Sequence, residues 1–429
     1  MRYEPADAQL FVNNRTRLIE RLKSASLAVF HSNDVMPTNA DGSMPLKQNT
    51  DLYYLSGIDQ EESILLLFPD AANAADREIL FIRETNDTIA IWEGEKLTKE
   101  TARLFSGIQN IQWSSTFDSV FHKLVQQVEH LYLNTNEHLR AAVSVETRDA
   151  RFIKKCLSHY PLHKYERLAP IMHRLRMLKD AEEIKMLQKA CDITEDGFRR
   201  ILKFVQPGVG EWEIEAEYIH EFLTQKSKGF AYSPIIGSGK NACILHYLDN
   251  NDICQDGELL LMDVAAEYGN WNADMTRTIP VNGKFTDRQR AVYNSVLTVL
   301  NKANNILRPG ILPSEYHQRV LSFMEYELIQ LGLIEPEAAK AQDNNKLLVK
   351  KYFMHGTSHH LGLDVHDVAP IDEPVTEGMV FTIEPGIYIP EEKLGIRLEN
   401  NFLIGKDANK NLMASIPIEA DEIETLMGN

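Results

Sequence analysis

The chain has 429 residues, of which 44% are hydrophobic and 25% charged, and its formal net charge is −17. This length exceeds one ordinary hydrophobic core, so we expect about two domains. The acidic balance excludes nucleic acid as the main partner, because few basic groups remain to neutralise phosphates, and it favours cationic ligands or metal ions. Charges occur throughout the first twenty residues, and no apolar run reaches membrane-spanning length. We therefore expect a cytoplasmic protein without a membrane partner.

The N-terminal part alternates between helical and strand patterns. Apolar residues recur at helical spacing in some segments and form short continuous runs in others. The predicted elements are helices near 10–22, 99–105 and 116–129, and strands at 27–30, 63–68, 79–82 and 88–92. Mixed strands and helices over this length are typical of an α/β domain. We assign this domain to residues 1–175 and find no catalytic pattern in it.

Residues 176–429 form the second predicted domain, and its pattern of elements occurs twice. One pair of helices is interrupted at Pro207-Gly208, and another pair is interrupted at Pro309-Gly310. A hairpin pattern follows each pair, with an apolar strand, turn residues and a second strand, which we expect at 271–279 and 395–404. The sequence therefore predicts an α+β domain made of two related halves about a pseudo-two-fold axis.

Acidic residues occupy matching places in the two hairpins. Asp263 and Glu384 each lie six residues after the glycine that precedes the first strand, and Asp274 and Glu399 lie on the second strands. An acid in a buried apolar run carries a large desolvation cost unless a cation or a donor compensates it. Four carboxylates that meet at the centre of the repeat would also repel one another. The pattern therefore predicts bound cations.

A histidine-rich segment separates the two hairpins. It contains His355, His359 and His366 among glycines, and His246 stands at the place in the first half that matches His366. We propose four carboxylates and the imidazole of His359 as metal ligands, with the other histidines around the substrate. Oxygen-rich donors without thiolates favour manganese or a similar hard divalent ion over structural zinc. In two-metal hydrolases the ions lie roughly 3.5–4 Å apart and activate a shared water.

The predicted ligands match, in order and spacing, the metal-ligand pattern of the pita-bread metallopeptidases. They are Asp263, Asp274, His359, Glu384 and Glu399. The segments around them, together with residues 44–57, resemble aminopeptidase P, the Xaa-Pro aminopeptidases. This resemblance covers nearly the whole chain. It implies a pita-bread catalytic domain with two divalent metal ions, most typically manganese. A hydroxide bridging them would release the N-terminal residue from peptides with proline at position two.

The resemblance also implies catalytic roles for individual residues. Glu384 would be both a ligand and the proton acceptor for the bridging water. His246 and His366 would contact the scissile peptide and stabilise its tetrahedral intermediate, and Arg397 would support the site together with Tyr388.

Two further residues acquire substrate-binding roles through the resemblance. His355 would line the pocket near proline. Trp92 is similar to a residue that bacterial members lend to a neighbouring subunit's site, which implies a homo-oligomer, either a dimer or a tetramer. The chain departs from the bacterial pattern in a shorter loop between Glu384 and Glu399, and in Asn400-Asn401, where acids are usual.

Other functions compete with Xaa-Pro aminopeptidase. Xaa-Pro dipeptidase, or prolidase, shares all five ligands and a similar N-terminal domain, whereas methionine aminopeptidases lack a large domain of this type. A metal-free peptide-binding pita-bread protein would have lost ligands, all of which are present here. Spacing alone predicts a two-metal hydrolase and does not predict a preference for proline.

Overall fold

The computed structural model describes residues 2–343, 346–371 and 373–428. Two compact units divide the chain, one formed by Pro5–Arg176 and the other by the residues from Met177 onward together with the stretch that ends at Glu4. The sequence-based division differs in this N-terminal stretch, which it assigned to the first domain. The stretch packs with the second unit because the Tyr3 ring contacts Tyr268, with ring centroids 6.2 Å apart, and the Glu4 N–H donates to the Tyr268 hydroxyl.

The first unit is an α/β domain built on one six-stranded sheet. Its strands are β1 (Ser26–His31), β2 (Ile64–Leu67), β3 (Glu78–Ile82), β4 (Asn110–Trp113), β5 (His130–Leu133) and β6 (Lys164–Arg167). Its helices are α1 (Ala8–Ile19), α2 (Thr50–Ser56), α3 (Asp87–Glu93), α4 (Lys99–Ser106), α5 (Phe117–Val125), α6 (Arg148–His159) and α7 (Ala169–Arg176). The strand order is β4-β3-β2-β1-β5-β6, and β2 alone among these strands runs antiparallel to its neighbours. Every residue of β1 and β2 is buried, as expected for strands covered on both faces.

Helix α3 replaces the strand predicted at 88–92. The helix begins after Asn86, whose side chain accepts a hydrogen bond from the Ile89 N–H, and it ends at Gly94, which has a φ of 81°. An asparagine cap and a glycine with positive φ are strong helix boundaries. They outweigh the β-branched and aromatic residues between them, so the strand prediction was wrong.

The second unit contains the remaining elements. Its helices are α8 (Ala181–Phe204), α9 (Glu211–Thr224), α10 (Asp287–Ile306), α11 (Pro313–Gln330), α12 (Pro336–Ala341) and α13 (Ala420–Met427). Its strands are β7 (Ile235–Ser238), β8 (Leu259–Asp263), β9 (Glu267–Tyr268), β10 (Trp271–Asn272), β11 (Thr276–Pro280), β12 (Val380–Ile383), β13 (Gly386–Ile389), β14 (Leu394–Arg397), β15 (Asn400–Leu403) and β16 (Lys410–Asn411). No helix among the described residues is long and apolar enough to cross a membrane.

The second unit repeats one arrangement. Helices α8 and α9 precede an antiparallel hairpin in which β8 pairs with β11 and β9 pairs with β10. Helices α10 and α11 precede a hairpin in which β12 pairs with β15 and β13 pairs with β14. Each hairpin therefore consists of two paired sections with an interruption between them, and the four predicted carboxylate ligands lie at the interruptions.

The interruptions correct the prediction of continuous second strands. Asp274 lies between β10 and β11, and Glu399 lies between β14 and β15. The Glu399 N–H donates to the Thr276 carbonyl at 3.1 Å, and the Asp274 N–H donates to the Asn401 side chain at 3.1 Å. Both ladders break here because these amides bond to the other half of the unit rather than to their own hairpin.

Candidate metal centre and active site

Four of the five predicted ligands converge where the two hairpins meet. Ligand atoms of Asp274, His359 and Glu399 all lie within 4.8 Å of one another. The His359 Nε2 atom is 3.3 Å from Asp274 Oδ2 and 3.8 Å from Glu384 Oε1. The cluster therefore contains carboxylates from both halves of the repeat and the imidazole of the segment between them.

Arg397 joins the fifth predicted ligand, Asp263, to this cluster. Its Nη2 donates to Asp263 Oδ2 at 2.6 Å, and its Nε donates to the Thr276 hydroxyl at 3.0 Å. That hydroxyl in turn donates to Glu399 Oε2 at 2.8 Å. The planar guanidinium can serve several acceptors in fixed directions. One buried arginine thus connects a carboxylate of the first hairpin with one of the second.

A backbone carbonyl fixes the orientation of His359. The Nδ1 of His359 donates to the His360 carbonyl at 2.9 Å, which leaves Nε2 facing the carboxylates. The same carbonyl accepts the Asp367 N–H at 2.9 Å. Metal-binding histidines commonly donate their second nitrogen to a carbonyl or carboxylate, which sets the tautomer and the ring angle.

Burial and mutual repulsion perturb the ionisable groups of the cluster. Burial raises the pKa of Asp263, and it raises the pKa of Glu384 to about 7. Burial, together with the nearby Asp274 carboxylate, raises the pKa of Glu399 well above its ordinary value. Burial alone would lower the pKa of His359, yet its hydrogen bond to Asp274 raises that pKa to about 9. The protein by itself favours protons on this cluster, and a bound divalent cation would relieve the same repulsion.

The chemistry of the donor set fits divalent metal ions. Carboxylate oxygens with a single imidazole are the ligands that hard ions such as manganese prefer. The residues that would hold such ions are Asp263, Asp274, His359, Glu384 and Glu399. The site can therefore combine electrophilic metal chemistry with the neighbouring histidines and Arg397.

A chain of hydrogen bonds runs from Arg397 to His355. The Tyr388 hydroxyl accepts from Arg397 Nη1 at 2.9 Å and donates to His355 Nε2 at 2.9 Å. The His355 Nδ1 donates to the Gly356 carbonyl at 2.7 Å and lies 3.6 Å from Glu384 Oε2. Burial lowers the pKa of His355 to about 3, so this imidazole is neutral.

The two remaining histidines have different surroundings. His366 is exposed, and its ring lies 4.0 Å from the His359 ring, measured between centroids. His246 is exposed on the segment between β7 and β8, whose Ala242 and Tyr247 pack in one apolar cluster with Tyr388. Among the described residues no hydrogen bond or ion pair joins His246 to the predicted ligands. The structure therefore brings His366 to the cluster, and it places His246 on a segment that packs against Tyr388.

Trp92 belongs to the first unit and is described there by itself. It lies near the end of α3, where its side chain is 83% exposed, beside the equally exposed Ile91. A tryptophan of a packed core would be buried, so Trp92 does not serve the core of its own unit.

Three residues that hold the ligands were not identified from the sequence. Tyr232 donates its hydroxyl to Asp263 Oδ1 at 2.6 Å. Thr276 bonds to Glu399, and the buried Asn401 donates to the Asp274 carbonyl at 2.6 Å. Thr276 and Asn401 each follow a predicted ligand by two residues, so the repeat carried a signal for them. Tyr232 carried none, because it occupies no matching place in the two halves.

Comparisons with known proteins agree with this arrangement. The family model described as metallopeptidase family M24 matches residues 185–406, and the aminopeptidase P N-terminal domain model matches residues 11–132. An Xaa-Pro aminopeptidase of Escherichia coli is 33% identical over 433 residues, which span 98% of this chain and 97% of that protein. The chain belongs to the aminopeptidase P family. The resemblance found in the sequence is thereby confirmed.

Solved structures and a further relative extend the comparison. A candidate aminopeptidase P from Bacillus anthracis has a TM-score of 0.90 at 32% identity, and 98% of each chain is covered. A zinc-substituted Escherichia coli aminopeptidase P in complex with product has a TM-score of 0.87 at 32% identity, with 99% of each chain covered. Intermediate cleaving peptidase 55 of Saccharomyces cerevisiae is 28% identical, over 98% of this chain and 84% of that protein.

Family membership confirms the predicted fold class and the predicted enzyme class. The chain combines an α/β N-terminal domain with an α+β pita-bread domain that carries an internal repeat. It is a metalloexopeptidase of the aminopeptidase P family.

Proposed function

We propose that this chain is an Xaa-Pro aminopeptidase that releases the N-terminal residue from peptides with proline at position two. The observation that carries the proposal is the convergence of Asp274, His359 and Glu399 from both halves of the repeat. A relative named Xaa-Pro aminopeptidase that matches nearly the whole chain supports the substrate class. The proline preference rests on the relatives. An Xaa-Pro bond is a tertiary amide that lacks an N–H, and the spacing of the ligands does not predict a preference for such a bond.

We propose two divalent metal ions, manganese above all, as the cofactor. The oxygen-rich donor set supports this choice, and the five residues named above would hold the ions. Ions bound there supply Lewis-acid activation of water and of the scissile carbonyl. Proton transfer and substrate binding are proposed for the protein's own side chains.

Glu384 is the proposed proton acceptor. Its two carboxylate oxygens face different histidines, with His359 at 3.8 Å and His355 at 3.6 Å. It can therefore orient a water molecule and take its proton while its position is held from two sides. His366, next to His359, is proposed to contact the scissile peptide and to donate to the oxygen that gains charge. His246 is proposed to do the same from the β7–β8 segment.

Arg397, Tyr388 and His355 form the proposed wall of the substrate pocket. Arg397 and Tyr388 are both buried and hydrogen-bonded to each other, so their positions are fixed before substrate arrives. Neutral His355 can offer its ring to an apolar proline side chain without the cost of burying a charge.

One kinetic comparison tests the function. Purified protein with added Mn²⁺ is incubated with an Xaa-Pro-Yaa peptide, an Xaa-Pro dipeptide and a Met-Ala peptide, and products are identified by mass spectrometry. We expect release of the first residue from Xaa-Pro-Yaa and no release by the Asp274→Ala variant. Loss of activity in that variant assigns the hydrolysis to this site. An untouched Xaa-Pro-Yaa peptide would overturn the proposal.

The same experiment separates the competing functions. Cleavage confined to the Xaa-Pro dipeptide would identify a prolidase. Comparable cleavage of the peptide without proline would indicate a broader exopeptidase, and the relative named Intermediate cleaving peptidase 55 makes this comparison necessary. A protein that binds no metal after manganese supplementation would be a metal-free peptide-binding member.

We also propose that Trp92 lies at a contact between copies of this chain in a dimer or tetramer. Trp92 and Ile91 follow β3, and the segments that follow β1 and β5 also expose apolar side chains: Val35, Met36, Met44, Leu139, Val143 and Val145. These segments leave the same edge of the sheet, because β1, β3 and β5 point the same way. Light scattering of Trp92→Ala beside the native protein tests the proposal, and an unchanged mass would contradict it.

The cytoplasmic location stays a prediction, and we propose the division near residue 176 as the domain boundary.

A further inference from the structure

The segment that carries His246 is tied to one buried carboxylate. This segment, residues 239–252, connects β7 with the residues before β8. Glu211 is the first residue of α9, and it is fully buried. Its carboxylate accepts four hydrogen bonds, and every donor lies in or next to the His246 segment.

The four hydrogen bonds hold both ends of the segment. Glu211 Oε1 accepts the backbone N–H and the hydroxyl of Ser238 at 2.7 and 2.8 Å. Glu211 Oε2 accepts the Tyr247 hydroxyl at 2.8 Å and the Asp252 N–H at 2.9 Å. The Glu211 N–H also donates to the Asp252 carbonyl at 3.0 Å. The start and the end of the segment are thus fixed on one side chain, with His246 between them.

The contacts require a carboxylate rather than an amide. Each oxygen faces a backbone N–H, one from Ser238 and one from Asp252, and a backbone N–H can only donate. A glutamine at position 211 would direct its NH₂ group against one of them. No cation among the described residues forms an ion pair with Glu211, so hydrogen bonds alone stabilise its charge.

The opposite side of the segment faces the candidate active site. Tyr247 packs in the apolar cluster that includes Ala242 and Tyr388. Gly395 of β14 lies so close that a Cβ there would be 2.1 Å from the Ala242 carbonyl oxygen. His246 directly precedes Tyr247 in the chain. A shift of Tyr247 would therefore move His246 relative to Tyr388.

We propose that Glu211 is a positioning residue that holds His246 in place for the reaction without touching substrate or metal. The inference rests on the proposed function insofar as His246 contacts the scissile peptide. It assigns a role to a residue outside the ligand set and the histidine-rich segment.

Two readouts test the role of Glu211. The first is hydrogen exchange of residues 239–252 in Glu211→Gln, compared with Glu217→Gln on the same helix, whose carboxylate contacts Arg200 instead. We expect faster exchange in the segment for Glu211→Gln only. The second is peptide hydrolysis, where we expect kcat/KM to fall on the order of 10- to 100-fold with manganese affinity unchanged, as for a misplaced catalytic group.

A double-mutant cycle assigns the effect to His246. His246→Ala should lower kcat/KM strongly in the native background and much less in the Glu211→Gln background, because the histidine is already displaced. If Glu211→Gln folds poorly, Tyr247→Phe replaces it in the cycle, because this substitution removes one hydrogen-bond donor and no charge. It should reduce the effect of His246→Ala on kcat/KM in the same way but to a smaller extent. Equal penalties of His246→Ala in both backgrounds, or unchanged exchange in the segment, would overturn the inference. Native protein inactive on Xaa-Pro-Yaa, with the exchange difference present, would overturn the proposed function and leave the anchoring of the segment supported.

Discussion

Lys179 Nζ lies 2.8 Å from Asp367 Oδ2, and the two side chains are only 1% and 2% exposed. Asp367 follows His366 directly, and its N–H donates to the His360 carbonyl. That carbonyl also accepts the Nδ1 proton of His359. The ion pair therefore holds the backbone group that orients the only imidazole among the predicted ligands.

Removing the charge of Lys179 should destabilise the fold and weaken metal binding. Lys179→Met leaves the Asp367 carboxylate buried without its cation, which costs about 3–5 kcal/mol in free energy of unfolding. Urea unfolding measures this loss, and titration with Mn²⁺ measures the affinity. Lys164→Met removes a lysine whose pair with Glu129 is about two-thirds exposed, so its effect on the free energy of unfolding should be far smaller. Equal effects of the two substitutions would contradict the role of Lys179.

Truncating Asn401 should weaken metal binding through Asp274. Asn401→Ala removes the hydrogen bonds that hold both the N–H and the carbonyl of Asp274, so this ligand loses its fixed position. Loss of such support commonly lowers metal affinity by about 10- to 100-fold. Calorimetric titration with Mn²⁺ checks the value. Asn282→Ala, which breaks an exposed hydrogen bond to Asp256, is the matched control and should bind manganese normally. Normal affinity in Asn401→Ala would refute the prediction.

Replacing Arg397 by lysine should lower activity although the positive charge is kept. A lysine ammonium cannot reproduce the three directed contacts to Asp263, Thr276 and Tyr388. We expect Arg397→Lys to reduce kcat/KM by about 10- to 100-fold at saturating manganese, in line with lost support of metal ligands. The surface substitution Arg319→Lys, which keeps a helical ion pair with Glu315, should leave kcat/KM unchanged. Full activity of Arg397→Lys would show that charge alone suffices.

Metal binding should release protons, and the apparent affinity should increase with pH. Because burial raises the pKa of Glu384 to about 7, its carboxyl group is largely protonated in the metal-free protein at acidic pH. A divalent ion must displace that proton below this pKa and meets an ionised carboxylate above it. Calorimetry in buffers of different ionisation enthalpy should therefore detect more proton release near about pH 5.5, where Glu384 and His359 are both protonated, than near about pH 8.5, where Glu384 is ionised and His359, with a pKa of about 9, still holds its proton. Proton uptake on binding, or an affinity that falls as pH rises, would contradict this prediction.

Sequence patterns that extend over a few residues predicted the elements whose formation depends on neighbouring residues in the chain. The apolar run before Asp263 forms β8, and the matching places of Asp274 and Glu399 on the second strands identified two residues whose ligand atoms do converge. Helix α3 shows the opposite case, because the cap at Asn86 and the turn at Gly94 were present in the sequence but carried too little weight against the residues between them.

Long-range contacts explain what the sequence did not predict. The strand breaks at Asp274 and Glu399 depend on hydrogen bonds to the other half of the unit. Lys179 and Asp367 are 188 positions apart, so no periodicity connects them. Tyr232 and Glu211 acquire their roles from the groups that pack against them, and neither lies in a motif.

The bonds between the two halves have a consequence for shortened forms of the chain. The amide of Glu399 is satisfied by the first half, and the amide of Asp274 is satisfied by the second. A protease cut or premature stop codon that removed one hairpin would leave the surviving one without its bonding partners. We expect such a product to bind no metal ions at this site, rather than half as many. Two separately expressed halves should bind metal ions only after assembling with each other.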